Sequence, residues 1–117
     1  MPDAAPLTVA EAAEKLGLTV HAARDRLGQP VTTAVVSDLL SYVMANGKQG
    51  GLWITIQTHA NIVAVAALGG LSGVIVAHGF EPTEDTVSRA EEEGIPLLTS
   101  PEPAYTLAGR LYELGVR

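Results

Sequence analysis

The chain has 117 residues, 47% of them hydrophobic and 17% charged, which suits one folded domain and argues against disorder. It has no cysteine, so disulfides and thiolate metal sites are excluded, and the lack fits a reducing cytoplasm. Its net charge of −6 opposes phosphate backbones and anionic membrane surfaces, so neither nucleic acid nor membrane is an expected partner.

The opening segment, M-P-D-A-A-P-L, has no basic region and no long apolar core, so it does not read as a signal peptide. No run of about 18 apolar residues exists to span a membrane. Thr8-Val9-Ala10-Glu11 is a capping box, Thr8 at the N-cap and Glu11 three residues on. Ala12, Ala13 and Leu16 form the apolar stripe of that helix, and Gly17 stops it. Leu18-Thr19-Val20 is a short strand candidate, and His21 to Pro30 reads as a loop or irregular helix.

Val31 to Val36 is β-branched except at Ala34 and is expected as a buried strand. Ser37-Asp38 then caps a helix whose Leu39, Leu40, Val43 and Met44 share one face, ended by Asn46-Gly47. Gly51 to Leu68 is the most informative stretch. It starts with the strand-like run Leu52-Trp53-Ile54-Thr55-Ile56, turns a polar corner at Gln57-Thr58-His59, and continues as an apolar helix from Ala60, closed by Gly69-Gly70.

Gly73 to Ala77 is a third buried strand, ending at His78-Gly79. Glu81-Pro82-Thr83-Glu84 starts a Glu-rich surface helix that Gly94 ends. Ile95 to Leu98 is the last short strand, ending at Thr99-Ser100. Pro101 fits the first turn of the final helix, which runs to about Leu114.

From Val31 onward strand and helix alternate four times, with continuous apolar strands. The fold class is therefore α/β: residues 1–117 form a single domain, with a mainly parallel sheet and helices on both faces.

In such a sheet the strands end at one edge, where ligands bind and helix N-termini meet. The residues expected there are Ser37 and Asp38, Gln57, Thr58 and His59, Asn61 half a turn on, then His78 and Thr99. These eight form the candidate ligand-binding set. Ser37, Thr58 and Ser100 also suit plain helix caps. Gln57, Thr58 and His59 place an amide, a hydroxyl and an imidazole side by side, a mixture able to read a hydrogen-bonding pattern.

No P-loop and no G-x-S-x-G elbow are present. Gly69 to Gly73 precedes a strand, so it is a connection and not a phosphate cradle. Ser37–Asp38–His59 and Asp38–His59–His78 are conceivable as a hydrolase or metal set, but no spacing signature supports either. Lys48 and Arg89 fall away from the edge, so an anionic ligand would rely on helix N-termini and His59. No catalytic residue, metal or cofactor is expected, and ATP hydrolysis is not. Thr8 to Thr19 also looks like the start of a helix-turn-helix, with Ala22 to Leu27 as its second helix and Arg24 and Arg26 as its basic residues.

The blocks V-V-S-D-L-L-S-Y-V-M, L-W-I-T-I-Q-T-H-A-N-I-V-A-V-A, A-E-E-E-G-I-P-L-L and A-G-R-L-Y-E-L-G together resemble the small stand-alone DRTGG-domain proteins, relatives of the N-terminal, non-catalytic domain of HPr kinase/phosphorylase. The likeness covers the chain from about Ala12; the signature run itself is absent, Asp25-Arg26-Leu27-Gly28 matching it only in part. The resemblance implies a cytoplasmic regulatory or interaction domain without catalysis, a homodimer, and a small-molecule or nucleotide effector. It also implies protein partners in signalling or associated with hydrogenases. Two other readings stand beside it: a small-molecule enzyme using the Gln57/His59 corner, and a DNA-binding regulator through residues 8–27.

Overall fold

Backbone polar groups inside an apolar chain must find partners, and here they do so in its helices and the main sheet they cover. The computed structural model describes residues 6–117; the reading of the N-terminus as no export signal falls mostly on residues 1–5, outside the described residues. The elements run β1 (Leu7–Thr8), α1 (Val9–Leu16), β2 (Thr19–Ala22), a 3-10 turn (Arg24–Arg26), β3 (Pro30–Val31), β4 (Thr33–Val36), α2 (Leu40–Asn46), β5 (Gly51–Thr55), α3 (Asn61–Gly69), β6 (Gly73–Val76), α4 (Glu84–Glu93), β7 (Leu97–Thr99) and α5 (Ala104–Glu113).

The main sheet has five strands in the order β2-β7-β6-β5-β4. β4 to β7 are parallel and lie side by side in chain order, while β2 pairs antiparallel with β7. β1 and β3 form a separate antiparallel ribbon. Each step from β4 to β7 moves one place in the same direction, so crossovers of one hand put α2, α3 and α4 on one face. α1 and α5 cover the other.

Alternation along the strands feeds two cores. Trp53, Val74, Val76 and Leu97 pack under Val43, Ile62, Val63, Ala66 and Ala90. Leu52, Ile54, Ile75 and Leu98 pack under Val9, Ala12, Leu16, Leu107 and Leu111. The α/β class, the mainly parallel sheet and the helices on both faces agree with the sequence reading. Among the described residues no helix is long and apolar enough to cross a membrane.

Several local expectations need correction. Val31 to Val36 is not one buried strand. It breaks at Thr32, whose N–H donates to the Gly50 carbonyl. Val31 joins the small ribbon, and β4 is the outer edge of the sheet, only half-buried. β-branching favours extended backbone but does not choose a central position.

Leu39 and Met44 do not face the core: they are exposed, and only Val43 of that helix is fully buried. A two-turn helix lying over an edge strand has little sheet beneath it. Pro101 precedes the last helix, which Pro103 begins as N-cap. His21 belongs to β2, at a bulge in the pairing with β7. The helix-turn-helix reading fails because its second helix does not exist: Thr19–Ala22 is a strand and Arg24–Arg26 a single 3-10 turn. Arg26 packs against Gly94, which sits at φ +70, a conformation strained for any residue with a Cβ.

Candidate functional site

The carboxyl ends of β4, β5, β6 and β7 share one edge, as the parallel pairing requires. The loop after β6 leads to α4 on one face and the loop after β7 to α5 on the other. That divergence is where open α/β sheets form crevices.

At the β4–β5 end the polar groups bind one another. Asp38 Oδ1 accepts from the Thr55 hydroxyl at 2.9 Å and from the Ile56 N–H at 2.8 Å. Gln57 Nε2 donates to the Asp38 carbonyl at 2.9 Å, and the Gln57 N–H donates to Thr55 Oγ1. The Ser37 carbonyl accepts from Trp53 Nε1 at 2.8 Å. The expected Ser37-Asp38 cap of α2 is therefore different in detail. Ser37 Oγ accepts from the Leu39 N–H, whereas Asp38 reaches across to β5, and the α2 N-cap, Leu39, makes no side-chain cap bond. Ser37, Asp38 and Gln57 are brought together, as a clasp joining two strand ends.

At the β6–β7 end the loops are knitted. The His78 N–H donates to the Glu102 carbonyl and the Gly79 N–H to the Ser100 carbonyl, both at 2.9 Å. His78 adopts φ 65, left-handed for a residue with a Cβ, and its Nε2 accepts from the Ala104 N–H at 3.2 Å. The imidazole thus caps α5 from the neighbouring loop. Ser100 is not that helix's N-cap; its hydroxyl accepts from the Glu102 N–H. Thr99 is buried, with its hydroxyl 2.8 Å from His21 Nε2.

The β5–α3 corner is different. Thr58 lends its carbonyl to the Thr83 N–H and the Thr86 hydroxyl, and its side chain makes no cap bond to α3. The α3 N-cap is Ala60, with no side-chain bond. His59 and Asn61 are exposed. Among the described residues the Thr58 hydroxyl, the His59 ring and the Asn61 amide have no hydrogen-bonding partner, although they flank a helix N-terminus with positive partial charge.

The eight expected residues therefore separate into three groups. Asp38 and Gln57 bind each other, with Ser37 beside them bound to Leu39 and Trp53; His78 and Thr99 each bind a neighbouring element; Thr58, His59 and Asn61 stand unengaged among the described residues. Asp38 Oδ1 is held by Thr55 and Ile56 and His78 Nε2 by Ala104, and no hydrogen bond among the described residues joins His59 to either. No group of three or more acidic or histidine side chains among the described residues is placed to hold a metal ion.

Arg110, which reaches the β7–α5 loop, is tied to Glu102 at 2.8 Å and to the Lys15 carbonyl at 2.7 Å. Sequence reading missed His21 at this edge. The period-two pattern Leu18, Val20, Ala22 was its signal, obscured by the bulge at His21 itself.

Four sequential βα units closed by an antiparallel strand, with a polar corner at the carboxyl edge, define a small α/β domain built on one main sheet. The chain belongs to the DRTGG-domain family, whose sequence profile matches residues 12–114. Its fold is similar to that of the CBS and DRTGG domains of the regulatory region of Clostridium perfringens pyrophosphatase, solved in complex with the activator diadenosine tetraphosphate. The TM-score is 0.70 at 21% identity, over 90% of this chain and 45% of that one, so the chain spans less than half of that structure. No curated protein matches the chain.

Proposed function

We propose that this chain is a non-catalytic regulatory domain that senses a small-molecule effector of the nucleotide class at the β5–α3 corner, working as a cytoplasmic homodimer with a signalling or hydrogenase-associated protein as its output. One observation carries the reading: three neighbouring side chains of different hydrogen-bonding type, Thr58, His59 and Asn61, stand unengaged beside a helix N-terminus that no side chain caps. Such a corner accepts partial negative charge and orients a polar group. Gln57 leads into the corner from β5 and is held by the Asp38 carbonyl, while His78 ties the next loop to α5. The neighbouring pyrophosphatase region binds a dinucleoside polyphosphate, which makes nucleotides the first class to test.

Thermal-shift and calorimetric titration with mono- and dinucleotides tests it, since an effector at 100 times its Kd adds about 2.7 kcal/mol of stability. His59→Ala and Asn61→Ala should abolish the shift while leaving the free protein's melting unchanged. A nucleotide whose affinity survives both substitutions binds elsewhere. Turnover of ATP by the purified chain would refute the non-catalytic reading.

A further inference from the structure

We infer that the outer face of α3 and α4 seats a second copy of this chain, related by a two-fold axis. This rests on the homodimer just proposed and assigns its surface.

From Gln49 to Phe80 the sequence contains no Lys, Arg, Asp or Glu. β5 and β6 lie in this stretch and are buried, which accounts for their share of it. α3 lies in it too, yet Asn61, Ala64, Ala67 and Leu68 are exposed, Leu68 at 77%. A helix with one face in water ordinarily carries charge there, and one apolar all round is ordinarily covered all round. Exposed Met44 of α2 adds to the uncharged surface of the same sheet face.

Beside α3 runs a groove of about 390 Å³, lined by Ala60, Ala64, Ala67 and Leu68 and closed on the α4 side by Arg89 and Glu93. Those two charges select the occupant. They are opposite in sign and one helical turn apart. A two-fold axis over the groove can set each copy's Arg89 against the partner's Glu93, so the patch complements itself. Among the described residues Arg89 is tied only to Asp85 of its own helix, through a 3.6 Å pair that is more than half exposed.

The other exposed surfaces fit a second copy less well. On the outer face of α5, Arg110 is already held by Glu102 and the Lys15 carbonyl, and Arg117 lies over the Tyr112 ring at 4.0 Å, so neither is left to pair with a second copy. The free edge of β4 is only four residues long, and short edges resist pairing.

Sedimentation equilibrium of the whole chain across the micromolar range tests the assignment. The wild type should sediment as a dimer and Leu68→Glu as a monomer with an unchanged circular-dichroism spectrum, because Leu68 is exposed in the single copy. Tyr105→Glu on α5 should leave the dimer intact. Arg89→Glu and Glu93→Arg should each weaken association, and combining them should restore it. If Leu68→Glu remains a dimer, the seat is elsewhere although the dimer stands. If the wild type is a monomer throughout, both the dimer and this surface as its seat are refuted.

Discussion

Asp38 shows how one side chain can be read two ways from sequence. It precedes a helix, where a carboxylate usually caps, but it holds the end of the next strand through the Thr55 hydroxyl and the Ile56 N–H. Thr55 is buried, so losing its carboxylate partner has a cost. Asp38→Ala should lower stability by about 1–3 kcal/mol in urea titration. Asp38→Asn keeps an acceptor oxygen and should cost less. Gln57 is tied to the same clasp, so Gln57→Ala tests structure and binding together, and His59 and Asn61 are the cleaner probes of the corner. His59→Ala should stay within about 0.5 kcal/mol of wild type. Ile54, fully buried between β5 and the α1–α5 layer, sets the contrast: Ile54→Ala should cost about 2–5 kcal/mol by the same titration.

Among the elements, α1 follows its local signals most closely. Thr8 and Glu11 form both bonds of the capping box, and Gly17 ends the helix in the left-handed conformation. Thr8→Ala should cost about 1 kcal/mol, read as a lowered urea midpoint at constant slope. Where an element's identity depends on neighbours in the chain, the sequence was legible: β5, α3, β6 and α4 lie where apolar runs and caps put them. Where it depends on neighbours in space, it was not. The β-branching of Thr33, Val35 and Val36 does not distinguish an edge from a centre, so a strand that is only half-buried reads as a buried one. The pairing of β2 with β7 joins distant segments, and His21 was accordingly hidden in an apparent loop. The candidate site divides the same way. The residues of the strand-end edge could be named from alternation alone, but which of them are free could not. Asp38, Gln57 and His78 found partners through loops whose paths no local pattern specifies.

At the scale of the molecule, one sheet serves two cores, and its strands contribute side chains to both. Losing either layer exposes the other face of the same strands, so the two cores should melt together. Fluorescence of Trp53, buried in one core, and far-ultraviolet circular dichroism should give coincident urea transitions. Separate transitions would mean that the layers are independent.

The position of β2 carries a consequence for how the chain reaches its fold. This early strand lies at the rim of the sheet against β7, and Lys15 at the end of α1 is held by Arg110 from the last helix. Neither contact is available until synthesis has passed β7 and α5. A nascent chain can assemble the β4–β5–β6 units in order of synthesis, while its own beginning waits for its end. The loop closed by β2 and β7 is long, and its entropy must be overcome late. Val20→Ala in β2 should therefore speed unfolding and leave the refolding rate nearly unchanged in stopped-flow measurements, whereas Ile75→Val in β6 should slow refolding. The first and last elements of this domain are thus expected to close as a latch, fastened last and released first.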